Sequence, residues 1–295
     1  MDSLSRPANP PSEEADRLIV LVPVYNDWTA LGRLLPLLDD ALRPLDGAVR
    51  VVVVDDGSTE PEDGRVSSLP LSRVNWVTIV SLRRNMGHQR AIAMGLAHIE
   101  ACLPCRCVVV MDGDGEDDPQ DVMRLVARMD ELRSTAVVFA ERTRRIDGIA
   151  FRLFYLLYRM LHRMLTGIPV RVGNFSAIPA GMLRRLVVVS ELWNHYAAAV
   201  FLARIPRATI PSVRRPRLHG LSKMNVVSLV GHGLSALSVH AELVGVRLLV
   251  AGGVVAAVVL LLLAGLAVFG WSTGVATGWL VVGGLAGLVL LGQIV

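Results

Sequence analysis

The segment VVVMDGDGEDDPQD, residues 108–121, places closely spaced acids directly after an apolar run. A run that stops abruptly at Gly and Asp is typical of a buried parallel strand ending at the rim of a sheet, where α/β proteins bind their ligands. Side chains two positions apart on an extended backbone point to the same side. Asp112 and Asp114 are therefore predicted to converge on a hard divalent cation, Mg²⁺ or Mn²⁺, with Glu116 as a further candidate ligand.

The same acids also fit a purely structural interpretation. Asp118 and Pro119 form a good N-cap and first-turn pair, so the segment could be an acidic turn that starts a helix. An Asp-x-Asp pattern alone does not separate these two interpretations.

The elements that must position these acids are indicated by apolar runs along the first half of the chain. The runs at 18–24, 49–54, 74–81 and 108–111 are typical of strands. They alternate with helical patterns such as 28–42, for which Asp27 is a candidate N-cap. This alternation predicts a parallel, doubly wound α/β sheet. Asn26, Asp55, Arg84 and Asp112 follow strand ends, so we expect polar groups to line one rim.

Four motifs occur in order: PVYND, VVVVDDGSTE, RRNMGHQRAIAMGL and VVVMDGDGEDDPQD. This succession resembles the GT-A fold of glycosyltransferase family 2, which implies a Rossmann-like, mostly parallel sheet. By that resemblance, Asp112 and Asp114 hold a metal on the diphosphate of a nucleotide-sugar. The resemblance assigns nucleotide-sugar binding to Pro23, Tyr25, Asp27, Asp55, Asp56, Arg84, Asn85 and Gly87. Local alternatives stay open, because Asp56-Gly57 is also a turn signal and Gly87 also suits a helix entry.

Charge divides the chain into two halves. Residues 1–140 carry 14 Arg and 22 acids, whereas residues 141–223 carry 14 Arg, one Lys and three acids. An acidic half suits a cation, and a basic half suits phosphates of a lipid or a substrate. Nucleic acid is the other usual partner of Arg-rich surface, but no recognised binding motif is present, so we expect no nucleic-acid partner.

The basic half contains the pattern R-x-x-R-x-x-G-x-S-K, from Arg214 to Lys223. Guanidinium groups match phosphate oxygens in pairs, and a glycine lets the backbone pass close to them, although a solvated basic loop would fit as well. The pattern resembles polyprenyl-phosphate glycosyltransferases of the dolichyl-phosphate mannose synthase group. That resemblance implies inverting transfer of one sugar from a nucleotide-sugar to a polyprenyl phosphate. The candidates for catalysis are Asp112, Asp114, Arg142, Arg214, Arg217 and Lys223. The candidates for binding the lipid phosphate are Arg142, Arg145, Arg214, Arg217, Ser222 and Lys223.

The chain departs from that group at several positions. Glu116 stands where Gln is usual, and Asn174 and Ser176 replace an Asp and an Arg. Cys102, Cys105 and Cys107 replace a usual Gly-Asp. The cysteines lack a second cluster to complete a zinc site, so reduced thiols before a strand are expected.

The last part of the chain predicts membrane attachment. The hydrophobic fraction is 53%, and no charged residue follows Arg247. Residues 248–269 and 275–295 are each long enough to cross a bilayer, with an interfacial turn at 270–274, so a two-helix transmembrane hairpin is expected. Small residues in the second span would let helices of two copies pack closely, which makes a homo-oligomer one expectation.

The predicted organisation follows from these spans. Residues 1–16 form a polar tail without an apolar stretch typical of a signal peptide, and residues 17–224 form the GT-A domain. Arginines before the first span favour a cytoplasmic domain on a multi-pass inner-membrane protein. Residues 149–168 form an aromatic and basic amphipathic helix, which suits either a membrane surface or a core helix with a basic face. Residues 225–247 form an amphipathic juxtamembrane segment.

Two other functions compete with this hypothesis. A family 2 enzyme that glycosylates a saccharide or glycolipid hydroxyl would need a general base, and Glu191 and Glu242 are the only acids beyond residue 147. A non-catalytic, membrane-tethered subunit that binds nucleotide-sugars is the second alternative.

Overall fold

The structure is a computed structural model that describes residues 17–142, 160–161, 163–167, 172–220, 226–273, 278, 282–284 and 286–287. The chain divides into two compact units. The first lies within Met1–Leu156 and Val170–Val239, and the second lies within Leu157–Pro169 and His240–Val295.

The first unit is built on a seven-stranded sheet in the order β3-β2-β1-β4-β6-β5-β7. Strand β6 is antiparallel to both of its neighbours, and the other pairings are parallel. The predicted mostly parallel α/β sheet is therefore confirmed. The strands are β1 Leu18–Val24, β2 Val49–Asp55, β3 Trp76–Ser81, β4 Cys107–Val110, β5 Val137–Arg142, β6 Val172–Pro179 and β7 Arg207–Ser212.

Helices cover both faces of this sheet because successive strand residues point to opposite sides. Val20 and Val22 of β1 belong to one buried cluster, and Ile19 and Leu21 belong to the other. The helices of this unit are α1 Trp28–Ala41, α2 His88–Cys102, α3 Pro119–Glu131, α4 Ala180–Leu186, α5 Tyr196–Leu202 and α6 Val226–Ser238, with a 3₁₀ helix at Ser190–Trp193. Residues of α1 and α3 join the first cluster, and residues of α2, α4 and α5 join the second.

The two predicted helix caps have different outcomes. Asp118 caps α3 as expected, because its carboxylate accepts a hydrogen bond from the Gln120 backbone N–H at 3.1 Å. The prediction for Asp27 was wrong: the residue occupies the N-cap position of α1, but its side chain accepts no capping hydrogen bond. The Asp27 carboxylate is instead paired with the Arg217 guanidinium.

The three cysteines are free thiols around the start of β4. Burial raises the pKa of Cys105 to about 11 and that of Cys107 to about 12. Thiols with such high pKa values stay protonated and react poorly at neutral pH.

The second unit contains α7, Ala241–Thr273. Within the part of the chain that the structure describes, α7 is the one helix long and apolar enough to cross a membrane, over Ala241–Gly265 with a mean hydropathy of 2.8. The helix begins seven residues before the predicted span 248–269. It continues to Thr273, so the prediction of a turn at 270–274 was wrong for the first four of those residues. The second predicted span, 275–295, lies mostly outside the described residues.

Part of the predicted amphipathic helix 149–168 also belongs to this second unit. Its described residues include Met160 and Met164, whose side chains are exposed. Arg247 of α7 donates hydrogen bonds to the backbone oxygens of Met164 and Leu165, at 3.0 and 2.9 Å. The remaining residues of that helix lie outside the description.

Candidate active site

The acids of the predicted metal site lie in the loop between β4 and α3. Gly113 separates Asp112 from Asp114 and lies against β1, where a Cβ atom would come within 3.1 Å of Val22 Cγ1. Burial, and then the charge of Asp112, raises the pKa of Asp114 to about 6, despite opposing attraction to Arg217 and Arg214. The negative charge of Asp112 therefore makes ionisation of Asp114 less favourable.

Arg217 connects two acids that the sequence assigned to different tasks. Its Nη1 lies 3.3 Å from Asp114 Oδ2, and its Nη2 is paired with Asp27 Oδ2. All three side chains are less than one fifth exposed. An arginine from the basic pattern thus bridges a predicted metal ligand and a predicted nucleotide contact.

The neighbouring acid Glu116 is paired with Arg214. Backbone hydrogen bonds join the same two segments. The Arg215 N–H donates to the backbone carbonyl oxygen of Glu116 at 2.8 Å, and the Leu218 N–H donates to the backbone carbonyl oxygen of Asp114 at 3.0 Å. Leu218 also covers Gly115, where a Cβ atom would clash with the Leu218 side chain. The segment after β7 therefore lies directly on the acidic loop.

Asp112 has a different partner, His88 at the start of α2. His88 Nε2 lies 3.2 Å from Asp112 Oδ1. Burial alone would lower the pKa of His88, but Asp112, with smaller contributions from Asp114 and Asp117, raises it overall. Protonation of this imidazole would offset part of the loop's negative charge.

Asn174 of β6 contacts the same nitrogen of His88 that faces Asp112, and Asn174 is itself held by a chain of hydrogen bonds. Asn174 Nδ2 lies 3.0 Å from His88 Nε2, and Asn174 Oδ1 accepts a hydrogen bond from Gln89 Nε2 at 3.2 Å. Gln89 Oε1 in turn accepts a hydrogen bond from the Tyr196 backbone N–H at 2.8 Å. Ser176, the other departure in this strand, lies 2.6 Å from the Tyr196 hydroxyl. Of the two substituted positions on β6, Asn174 thus contacts His88, whereas Ser176 is buried against Tyr196.

The predicted nucleotide-binding residues surround the ends of β1 and β2. Asp55 and Trp28 line a cavity of about 410 Å³ together with Ser58, Thr59, Glu60, Pro61, Glu62, Ile79 and Ser81. Asn26 holds one wall of it, since its amide oxygen accepts hydrogen bonds from the backbone N–H groups of Thr59 and Glu60 at 2.8 and 3.0 Å. A polar-walled cavity at this rim could hold a nucleobase.

Asp56 is placed differently from Asp55. It is buried, and its two carboxylate oxygens accept hydrogen bonds from the backbone N–H groups of Met86 and Gly87, at 2.7 and 2.9 Å. Gly87 has a φ of 91°, which strongly favours glycine. In this structure the Asp56 side chain therefore orders the loop before α2.

The remaining predicted contacts are spread over the same rim. Pro23 is buried in β1, whereas the Tyr25 side chain is 40% exposed. Arg84 and Asn85 are exposed in the loop that Asp56 orders. Arg142 ends β5 with its side chain outside the description, and Arg145, Ser222 and Lys223 also lie outside the described residues.

The donor set fits a divalent cation, although it is incomplete. Among the described residues, no group of three or more His, Cys, Asp or Glu side chains is arranged to hold a metal. Asp112 and Asp114 nevertheless supply hard oxygen donors whose mutual repulsion a cation would relieve, and Mg²⁺ and Mn²⁺ commonly need few protein carboxylates when a phosphate supplies the other ligands. Glu116 is the weaker candidate because Arg214 holds it.

The residue-based predictions missed His88, Gln89 and Asn174 as parts of this site. His88 and Gln89 lie inside the motif RRNMGHQRAIAMGL, so their place in a recognised motif was the available signal. The partner strand β6 is more than 80 residues away in sequence, and no local pattern links it to α2.

The family model described as glycosyl transferase family 2 matches residues 19–187. Among curated proteins, undecaprenyl-phosphate 4-deoxy-4-formamido-L-arabinose transferase from Klebsiella pneumoniae subsp. pneumoniae is 26% identical over 220 residues, which cover 72% of this chain and 64% of that protein. The protein of the same name from Salmonella choleraesuis is 27% identical over 219 residues, with the same coverages. This chain therefore aligns with less than two thirds of the length of these relatives.

Solved structures share the fold at lower identity. Glucosyl-3-phosphoglycerate synthase from Mycobacterium tuberculosis, solved with Mn²⁺, UDP and glucosyl-3-phosphoglycerate, aligns with a TM-score of 0.55 and 20% identity over 82% of this chain and 87% of that chain. The same protein with Mg²⁺ and UDP aligns with a TM-score of 0.55 and 18% identity, covering 79% and 82% of the two chains. At these identities the likeness concerns the fold alone.

Proposed function

Because the chain belongs to glycosyltransferase family 2, we propose that it transfers one sugar from a nucleotide-sugar to a polyprenyl phosphate. The curated relatives described above carry the name of an undecaprenyl-phosphate sugar transferase, which supports a lipid phosphate as acceptor. One observation in the structure carries the proposal furthest: Arg214 and Arg217 lie directly on the acidic loop of Asp114 and Glu116. The residues that we propose for phosphate binding and for cation binding are thereby in one place.

The donor would be held by the rim of the sheet. The cavity beside Asp55 would take the nucleobase, and Asp112 and Asp114 would hold Mg²⁺ or Mn²⁺ on the diphosphate. A bound cation would act there as a Lewis acid that neutralises charge on the leaving diphosphate. Arg214 and Arg217 would contribute further positive charge to the same phosphates, in the paired geometry that guanidinium groups favour.

A phosphate acceptor does not need a strong general base from the protein. A phosphate monoester is already ionised near neutral pH, so its oxygen can attack the anomeric carbon without a strong protein base. The bond to the nucleotide diphosphate breaks as the bond to the lipid phosphate forms, and a single displacement inverts the anomeric centre. Arg142, Arg145, Ser222 and Lys223 are the proposed contacts of the lipid phosphate.

Membrane attachment would bring the acceptor to this site. We place α7 across the bilayer over Ala241–Gly265, with the catalytic unit on the cytoplasmic side. Gly284 supports a second helix beside α7, because a Cβ atom there would come within 3.0 Å of Leu263 Cδ1. Gly287 likewise lies near Val259, as expected for an antiparallel hairpin.

The test is a transfer assay with the full chain in nanodiscs. Radiolabelled UDP- and GDP-sugars are incubated with Mn²⁺ and either undecaprenyl phosphate or the dephosphorylated prenol, and the lipid products are separated. We expect label on the phosphate lipid only, and loss of labelling in Asp112→Asn. Transfer to the prenol would favour a hydroxyl-specific enzyme, and binding without transfer to any acceptor would favour a non-catalytic subunit. Both results would refute the proposal.

A further inference from the structure

Gln89, the second residue of α2, is buried and forms hydrogen bonds with both ends of its side-chain amide. Its Oε1 accepts a hydrogen bond from the Tyr196 backbone N–H at 2.8 Å, and its Nε2 donates one to Asn174 Oδ1 at 3.2 Å. A backbone N–H can only donate, so the Tyr196 contact fixes which end of the Gln89 amide faces Asn174. The first turn of α2 is thereby joined to α5 and to β6.

Asn174 connects Gln89 to the acidic loop. Gln89 holds the Oδ1 of Asn174, and the Nδ2 of Asn174 lies 3.0 Å from His88 Nε2. The same His88 nitrogen lies 3.2 Å from Asp112 Oδ1. The His88 and Asp112 side chains are both partly exposed, so packing alone does not fix them, whereas Gln89 is buried. The buried residue can therefore limit the movement of the two exposed ones.

A second carboxylate holds the same end of α2 but acts on the backbone before it. Asp56 accepts hydrogen bonds from the N–H groups of Met86 and Gly87, which fixes where the helix begins. The N-cap residue is Gly87, which has no side chain to cap the helix. The position of the His88 ring then depends on contacts of the first turn itself, and Gln89 joins this turn to two other elements.

We propose that Gln89 is a positioning residue for the proposed cation site and that it acts on Asp112 through Asn174 and His88. This inference rests on the proposed function, because the cation at Asp112 belongs to that function. A carboxylate that its neighbours already hold in one orientation loses less rotamer freedom when it binds a cation. Residues that orient metal ligands in this way change the metal affinity when they are substituted.

The test is a double-mutant cycle on Mn²⁺ affinity. Gln89→Met, Asn174→Ala and the double variant are compared with the wild-type full chain in detergent, without nucleotide. Bound Mn²⁺ is obtained from the electron paramagnetic resonance signal of free Mn²⁺. Met is close to Gln in length but forms no hydrogen bond with either partner. A melting curve for each variant sets a temperature at which it is folded, and Gln89→Asn, which keeps an amide in the buried site, is the second variant if Gln89→Met does not fold.

Tyr196→Phe is the matched control. It removes the hydroxyl that lies 2.6 Å from Ser176 Oγ, and it leaves the backbone N–H that donates to Gln89. Because Tyr196 is fully buried, the substitution should lower the melting temperature. A residue that only stabilises the core should change the melting temperature and leave the Mn²⁺ affinity within about twofold of the wild type, as we expect for this control.

We expect Gln89→Met and Asn174→Ala each to weaken Mn²⁺ binding about fivefold. The double variant should also weaken it about fivefold, because the second substitution acts on a series of contacts that the first has already broken. Gln89→Asn should show the same loss as Gln89→Met, since its shorter side chain cannot reach both partners at once. Independent effects would instead multiply to about 25-fold in the double variant.

Four results would overturn the inference: losses that multiply in the double variant, an unchanged affinity in the Gln89 variants, an equal loss in Tyr196→Phe, or no Mn²⁺ binding by the wild type. The lipid-labelling assay tests the proposed function separately. If the Mn²⁺ affinities are as expected and the wild type labels no lipid, the proposed function is refuted and the positioning role of Gln89 stands.

Discussion

The Nε2 atom of His88 lies 3.2 Å from Oδ1 of Asp112, so the first residue of α2 contacts the first acid of the predicted metal pair. The same nitrogen lies 3.0 Å from Nδ2 of Asn174 on β6. The imidazole is thus held between a helix, a strand and the acidic loop. Its contacts orient the Asp112 carboxylate.

His88→Ala should lower kcat/KM for the nucleotide-sugar about tenfold, which corresponds to about 1.4 kcal/mol of transition-state stabilisation. The reason is that Asp112 loses the contact that orients it. His88→Gln should recover part of the activity, since its amide nitrogen can approach the position of Nε2. His98→Ala on the same helix is the control, with activity within about twofold of the wild type. Equal losses in the Ala and Gln variants of His88 would contradict the orienting role.

The raised pKa of Asp114 predicts a conflict between stability and function. Its ordinary value is 3.8, and burial together with Asp112 raises it to about 6. The folded chain therefore holds this proton more tightly than the unfolded chain does. The stability cost of the ionised carboxylate appears as pH rises from about 4 and is fully present above about 6.

Asp114→Asn should accordingly be more stable than the wild type at pH 7.5, by about 1–2 kcal/mol after loss of the Arg217 contact. The advantage should shrink or reverse at pH 4.5, where the native carboxyl is protonated. Denaturation curves for both proteins at the two pH values, without divalent cations, measure the difference. The stability difference between Asp114→Asn and the wild type should be more favourable to the variant at pH 7.5 than at pH 4.5. The opposite order would show that the attraction of Asp114 to Arg217 outweighs its repulsion from Asp112.

A second buried carboxylate, Asp39, stabilises the first unit. Burial would raise its pKa, but hydrogen bonds from the backbone N–H groups of Val74, Ser72 and Arg73 and from the Ser72 hydroxyl lower the pKa overall. The acceptor distances are 2.7–3.0 Å. Asp39 thereby fixes the segment that leads into β3.

Asp39→Asn should cost about 2–3 kcal/mol, because an amide cannot accept all of these hydrogen bonds and would place its own donors against backbone N–H groups. Because the pKa of Asp39 is lowered in the folded chain, the variant shows its full loss of stability above about pH 4. This loss becomes smaller as the pH falls through the pKa of Asp39 in the folded chain. Asp40→Asn is the matched control, because Asp40 is exposed and pairs with Arg43 at the surface. It should change stability by less than about 0.5 kcal/mol in the same denaturation assay. Similar losses in the two variants would refute the role of the buried carboxylate.

Much of the fold could be predicted from local sequence patterns. The first four strands are apolar runs bounded by polar residues, and each was predicted within two or three residues of its observed limits. The reversed strand β6 could not be anticipated, because its residues 172–179 pair with β4 and β5 through contacts that no local pattern encodes. Contacts between distant segments were equally unpredictable in the candidate active site.

Site residues that share one motif could be predicted together, and partners from distant motifs could not. Asp112 and Asp114 lie in one loop, and the charge of Asp112 acts on Asp114, as residues of one motif would. Asp27, by contrast, was expected to cap α1, but Arg217, 190 residues further along the chain, holds its carboxylate. Helix-capping preferences describe an isolated helix, whereas a buried guanidinium offers an acid a stronger partner.

The contact between Gly284 and α7 predicts how the apolar C-terminal segment responds to substitution. A side chain at Gly284 would meet Leu263, whereas a Cβ atom at Gly283 would have nothing within 4 Å. Gly284→Leu should therefore destabilise the proposed hairpin by about 1–3 kcal/mol through overpacking, and Gly283→Leu should be nearly neutral. Thermal denaturation in detergent compares the two variants, which differ only in the position of one leucine. Equal melting temperatures would indicate that this helix does not pack against α7 through Gly284.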